Sequence, residues 1–418
     1  MKKSIFLAAL VLISAGCFAQ KKNVNAARNL AEAETPDYVA ARAAITEALQ
    51  NDETKDVPNT WYIAGYIGYK EFEAIDLKRQ TNQSFDVNVW GDAVYESLKY
   101  WKTAYEKAQN PISYDKKGKP KYDKRTPNSI YPKMIEYYKT PALLWAGSEA
   151  YNNNNYSRAY DMYITYVNIP ESEIIKNNPK AAAEFVLDST YYTNVYYAAR
   201  FAYEAQRYPE ALEAFERMNS EHAATHALHN EVISSNMYIY QIYIDQNDTT
   251  KAVEYLQYCI DKFPEESWFT QNLINVYINS NKVEEALQIL DLAINREPNA
   301  GQYYLTKASV LAVILGEYEQ SFDIYKKATE IEPNNAAFWH ALGIAYSDYA
   351  TKINNDAAYL SDKEYKIEKA KSDAQLAIAL PYCQKAYELE PDNAEYKRSL
   401  RSLYYRLGMN DKYEALAD

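Results

Sequence analysis

Glycine, cysteine and histidine are all scarce in this 418-residue chain, at ten, three and four copies. Scarce glycine suits helices, whose interiors lose about 1 kcal/mol for each glycine relative to alanine. No Gly-rich phosphate loop and no G-x-S-x-G nucleophile elbow is present, and no cysteine stands beside a plausible histidine base. The chain therefore shows no catalytic constellation and implies no cofactor. Positive charge is also in deficit, with 45 Lys and Arg against 57 Asp and Glu and a net charge of −12. That balance argues against nucleic acid or an anionic membrane as a partner, because a basic surface supplies most of the affinity for either.

The three cysteines cannot build a disulfide framework. Cys17 falls in a leader-like segment, and Cys259 and Cys383 occupy core positions of helices about three structural units apart. A bridge needs Cα atoms within about 7 Å, so the expectation is two buried thiols. The leader itself has a basic start (Lys2, Lys3), a short apolar stretch (Ile5–Ile13) and a small-x-small site at Cys17-Phe18-Ala19. Residues 1–19 read as a secretory signal peptide, too short to cross a membrane. The rival is a lipoprotein signal with Cys17 as the lipidated residue, although Ser14 stands where such signals resemble one another in carrying Leu or Val. On either reading the mature chain, with no transmembrane segment, reaches the periplasm or the cell surface.

One pattern recurs through residues 233–346. Ala252, Ala286 and Ser321 share a register, followed by Cys259, Ala293 and Ala328, and then by Pro264, Pro298 and Pro333. The first two prolines are 34 residues apart and the next two 35. The following helix opens Trp339-x2-Leu342-Gly343-x2-Tyr346. This period and this string resemble the tetratricopeptide repeat (TPR) family. The resemblance implies an all-α fold: a right-handed α-solenoid of about eight helix pairs over residues 20–418, with a C-terminal capping helix. Small residues such as Ala286 and Ala293 let helices approach, and Leu273, Tyr277 and Leu290 fill the space between them. Each buried side chain of that size stabilises by about 1.5–3 kcal/mol, and each repeat depends on its neighbours.

Three stretches follow from that register. Residues 22–225 hold less regular repeats, 233–335 the regular ones, and 336–418 an interrupted last repeat with its cap. Pro36-Asp37 should turn the chain and cap the second helix of the first repeat. Trp61 and Gly65 mark the second repeat, with an insertion at Lys78–Val89 between its helices. Residues 110–128 break the helical period, and Tyr114–Tyr122 could form an exposed hairpin. From Asp115 to Lys139 eight Lys and Arg meet three Asp and Glu, either a solvated loop or a docking patch for an acidic partner. The insert at Lys352–Asp373 should lengthen both helices of the last repeat, and Pro381 should kink the second. Lys397, Arg398 and Arg401 should form the charged outer face of the cap.

In TPR proteins the first helix of each pair lines a concave groove. Carrying over the lining positions gives Trp145, Tyr151, Tyr196, Arg200, Tyr203, Met237, Gln241, Trp268, Gln271, Asn275, Tyr303 and His340. Aromatics interleaved with amides and an arginine can stack on and hydrogen-bond an extended peptide or a sugar chain. The resemblance thus implies a non-catalytic scaffold for a protein or peptide partner in the cell envelope, with a glycan-binding protein as the alternative. The Lys/Asn set with which some TPR modules grip a terminal carboxylate is absent, since Gln271 replaces the lysine beside Asn272 and Asn275. A third reading rests on His222, His226 and His229, which would share one face of a single helix and could hold a metal ion. The competing reading is three exposed side chains at the start of a helix.

Overall fold

The computed structural model describes residues 22–416, so the leader expected at 1–19 lies outside the described residues. The architecture is the all-α stack of helix pairs that the repeat period predicts. It divides after Gln246 into two compact units.

In the first unit, α1 (22–31) and α2 (Tyr38–Gln50) form the opening pair. The Asp37 carboxylate caps α2 by accepting the Ala40 N–H at 2.9 Å. Next come α3 (Pro58–Gln80) and α4 (Val87–Ala108). Here the sequence expectation needs correcting: residues 78–89 are not an inserted turn. Most of the added length becomes extra turns of α3 and α4. Only residues 81–86 remain as a connection, with Asp86 capping α4. The hairpin forms as expected, from β1 (Pro111–Tyr114) and antiparallel β2 (Pro120–Tyr122), turning at Gly118 with φ +75°.

Helix α5 (Arg125–Lys139) begins inside the stretch 110–128 that was expected to break the helical period, and it carries Pro132 in its interior, where proline disfavours a helix. Packing outweighs propensity. The helix buries Ile130, Met134 and Tyr137 beside α3 and α4, where the Tyr137 hydroxyl donates to Ser97 Oγ at 2.9 Å and its ring stacks on Trp101 at 5.6 Å. The next pair, α6 (Ala142–Asn152) and α7 (Tyr156–Asn168), rests on the added N-terminal turns of α4. Gly91 permits that contact, since a Cβ on it would lie 2.3 Å from the Ala146 methyl. The unit continues through two short helices, α8 (Glu173–Lys176) and α9 (Pro179–Ala182), to the pair α10 (Ser189–Glu204) and α11 (Tyr208–Arg217). It ends with α12 (Glu221–His226) and α13 (His229–Asp245).

The second unit begins with α14 (Thr249–Lys262), α15 (Ser267–Asn279) and α16 (Val283–Arg296). Helix α17 (Gly301–Ser309) runs on through a π-helical turn (Val310–Ile314) before α18 (Tyr318–Ile331). The insert at 352–373 lengthens both helices of the next pair, as expected: α19 (Ala336–Asp356) has 21 residues and α20 (Asp362–Leu389) has 28, with Pro381 inside it. Helix α21 (Ala394–Arg406) is not a lone cap but is paired with α22 (Asn410–Ala415). Arg401, expected on an outer face, lies where these two helices meet, its guanidinium 4.4 Å from the Tyr413 ring centroid.

One backbone device recurs at turns between successive helices. Asn82, Asn154, Gln206, Asn247 and Asn281 have φ between +54° and +58°, while Gly316 and Gly408 have φ +70°. One residue in the left-handed region ends the first helix and redirects the chain. Asparagine accepts that conformation better than most residues, which explains how the chain makes so many turns with so little glycine.

The tyrosines have a comparable explanation. Ser148 meets the Tyr163 hydroxyl and Ser309 the Tyr325 hydroxyl, each at 3.0 Å. Gln257 and Gln384 donate to the hydroxyls of Tyr277 and Tyr404. A large ring thus fills the space between helices while its polar tip is satisfied. Cys259 and Cys383 are buried, as expected, and burial pushes both thiols up to about 12.

Candidate ligand-binding face

Helices α6 and α10 are each the first of a pair, and α13 follows them in the first unit. Along α10, residues 193, 196, 200 and 203 recur at helical spacing and so share one face. The Thr193 hydroxyl donates to Glu231 on α13 at 2.9 Å. Tyr196 is half-buried, and burial raises its pKa. The Tyr203 hydroxyl donates to Asp245 at 3.0 Å, and the Gln241 amide donates to the same carboxylate at 2.8 Å. Burial and the bond to Asp245 push Tyr203 up to about 12.

Arg200 stands at the centre of this column. Its guanidinium carbon lies 5.8 Å from the Tyr196 ring centroid and 6.0 Å from that of Tyr238 on α13. Its Nε is buried without a hydrogen-bond partner. Burial opposes the charge, and the phenols of Tyr238, Tyr196 and Tyr151, the first also hydrogen-bonded to it, more than offset it, so the pKa stays above its ordinary value. Tyr151 reaches in from α6, its ring 4.9 Å from Phe201. Tyr197, 38% exposed, adds a second accessible ring on α10.

The structure therefore brings together Tyr151, Tyr196, Arg200, Tyr203 and Gln241 from the expected set. It adds Tyr197, Tyr238 and Asp245, which the family positions do not include. Asp245 stands four residues after Gln241, a spacing at which side chains meet on a helix, so that partnership was readable in the sequence. Nothing in the sequence marks Tyr238. Trp145 lies elsewhere, its ring edge against Trp90 at 5.8 Å.

Trp268, Gln271 and Asn275 belong to α15 in the second unit, where Gln271 and Asn275 are exposed and Trp268 is partly buried with its ring edge-on to Phe269. Tyr303 is a correction: at 2% exposure its ring fills the core beside Leu290 and Ala293 and is not offered to a ligand.

His340 is half-buried between α19 and α21, its Nε2 2.9 Å from Ser399 Oγ and its ring 4.6 Å from Tyr396. Burial lowers its pKa, with Glu395 opposing. A histidine whose folded pKa lies below its unfolded value, about 6.5, stabilises fully above that value. The contribution is lost as pH falls through the unfolded pKa towards the folded one, because only the unfolded chain takes up the proton. The unfolding midpoint should therefore fall less between about pH 7 and about pH 5 in His340→Gln than in the parent. Identical slopes in the two proteins would contradict this placement.

The single helix face that the metal reading of the three histidines needs does not form, and all three side chains are exposed, as the competing reading has them. Helix α12 ends at His226, the chain turns extended at Ala227 and Leu228, and His229 begins α13. His222 and His226 stack on each other at 4.1 Å, with His222 Nδ1 2.9 Å from the Tyr192 hydroxyl. Among the described residues no group of three or more His, Cys, Asp or Glu side chains could hold a metal ion.

A separate cleft of about 690 Å³ lies between α4, α7 and residues 169–174, floored by Leu98, Met134, Ile169 and Ile174. Its rim mixes Lys99 and Lys102 with Glu106, Glu171 and Glu173, so it favours no ligand charge. No described helix is long and apolar enough to cross a membrane.

Comparison with known proteins agrees with the architecture. Residues 243–310 match a family model described as tetratricopeptide repeat, and residues 313–348 match one described as TPR repeat. No curated protein sequence matches the chain. Among solved structures, a TPR repeats protein from Bacteroides fragilis is 19% identical, covering 63% of this chain and 97% of its own, with a TM-score of 0.31. The C-terminal part of a TPR repeat-containing protein from Cytophaga hutchinsonii is 17% identical, covering 65% and 90%, with a TM-score of 0.39. The matched segments coincide with the stretch where the left-handed turn recurs at Asn247, Asn281 and Gly316, and residues 243–348 are similar to tetratricopeptide repeats.

Proposed function

We propose that this protein is a non-catalytic scaffold of the cell envelope that holds an extended peptide segment of a partner protein. The peptide lies across the face made by α6, α10 and α13. The observation that carries the reading is the Arg200 column, where one half-buried guanidinium is ringed by tyrosines from three helices. Binding energy concentrates in aromatic and arginine anchors that exclude water, and such rings add contact area at low entropic cost. Export follows from the leader reading of residues 1–19, and the peptide reading from the repeat architecture.

The test is selection of displayed random peptides on the full-length protein, followed by titration of the best binder. Replacing Tyr151 and Tyr197 together by alanine should weaken that binder by about 2 kcal/mol. Both rings are 38% exposed, so folding should change less than binding. If the selection enriches no peptide, or the double variant binds unchanged, the reading fails.

A further inference from the structure

We infer that Arg200 is the seat for a single carboxylate of the bound peptide, an aspartate or glutamate side chain flanked by neutral or basic residues. The inference rests on the peptide-scaffold reading above and adds the charge that the face selects.

Arg200 differs from most of its neighbours in having no carboxylate partner. Several arginines of this unit are paired with carboxylates, Arg42 with Glu71 and Glu96, Arg158 with Asp92, and Arg207 with Asp161 and Glu210, whereas Arg217 donates to Asn168 and to the Tyr191 hydroxyl. Among the described residues no carboxylate stands within ion-pair distance of Arg200, Glu204 one turn further along α10 included. It meets instead the rings of Tyr196 and Tyr238 and hydrogen-bonds the Tyr238 hydroxyl, while its buried Nε donates to nothing. A half-buried charge costs stability unless something compensates it, and ring faces compensate it in part. What remains is a planar donor fork, whose best complement is a carboxylate.

The two nearby carboxylates do not fill that role, because each is held by other donors. Asp245 accepts from Tyr203 and Gln241, with Tyr208 at 3.4 Å, and Glu231 accepts from Thr193 at 2.9 Å. They stand seven residues to either side of Tyr238 on α13, about 10 Å along the helix axis in each direction. A ligand acid at Arg200 therefore lies between two fixed negative charges. A run of acids would meet both, whereas one acid with neutral or basic neighbours meets the arginine alone. Desolvated like-charge encounters of this kind supply specificity as much as the attraction does.

The experiment uses the full chain and an array of N-acetylated, C-amidated peptides derived from the selected binder. One central residue is varied as Asp, Glu, Asn or Gln, and a further series carries three adjacent acids. The parent protein should bind the single-acid peptides roughly tenfold or more tightly than their amides, and should disfavour the triple-acid series. Arg200→Gln should bind acid and amide alike, while Arg200→Lys should retain part of the preference. Thermal midpoints of both variants would establish that they are folded.

Equal binding of acid and amide by the parent would overturn the inference while leaving the scaffold reading intact. So would an acid preference that survives in Arg200→Gln. If no capped peptide binds, both readings fail. Capture of an anionic oligosaccharide in place of peptide, lost in Arg200→Gln, would also overturn the inference, since it would assign the seat to a different class of ligand.

Discussion

Replacing Trp101 by alanine is expected to destabilise the first unit by about 3–5 kcal/mol. The ring is fully buried on α4, stacks on Tyr137 at 5.6 Å and lies within 6.4 Å of Tyr62 and 6.1 Å of Tyr69. It also fills the space against which Gly65 is fitted, since a Cβ there would lie 2.5 Å from the indole. Its N–H donates to the Tyr62 carbonyl at 3.2 Å. Three contributions therefore disappear together: transfer of a large ring out of water, dispersion with its neighbours, and one hydrogen bond. The helices cannot readily close the void, because two of the rings around it are tied at their hydroxyls, Tyr137 to Ser97 and Tyr69 to Glu136. Trp101→Phe should cost less than half as much. Urea unfolding followed by circular dichroism measures both. A loss below about 1 kcal/mol for the alanine variant would mean that this core is not packed as described.

Gly343→Val should cost the second unit about 3 kcal/mol, by adding atoms where none fit. A Cβ on Gly343 would lie 2.4 Å from Cys383 Sγ and 3.3 Å from the Ala379 carbonyl oxygen, so both a side chain and a backbone would have to yield. Gly343→Ala should be milder, because alanine recovers up to about 1 kcal/mol of helix propensity. Cys383→Ala should relieve part of the Gly343→Ala cost by removing the sulfur. The double-mutant cycle isolates that coupling. Additive effects of the two alanine substitutions would show that α19 and α20 do not meet at this point.

How much of this was legible depends on which interactions recur. The regular repeats were readable because Ala252, Ala286 and Ser321 solve the same close-approach problem at the same interval. Asp37 was readable as a cap because its contact is three residues away. Helix α5 was hidden because it begins inside the stretch that breaks the helical period and carries Pro132 in its interior. Its stabilisation comes from Trp101 and Ser97, some 30 to 40 positions earlier, which no local pattern displays. The extension of α3 and α4 was misread as an inserted turn for a related reason: the repeat supplies a period but not a length for an irregular pair.

The site shows the same division. Family positions located Tyr196, Arg200 and Tyr203, which the structure brings into one column. They also selected Tyr303, although its ring packs among its neighbours in the core. Tyr238 escaped because its role arises only when α10 and α13 lie side by side. The histidine trio failed at Ala227 and Leu228, where two extended residues divide what a helical count treats as one face.

The central claim is that peptide lies on the face made by α6, α10 and α13. The most direct measurement is photocrosslinking with benzoylphenylalanine placed separately at Tyr197, on that face, and at Lys102, on the rim of the α4–α7 cleft. Crosslinked peptide would be located by mass spectrometry. The account predicts capture at position 197, competed away by unlabelled peptide, and none above background at position 102. Capture at 102 with none at 197 would contradict it and would move the binding site to the cleft.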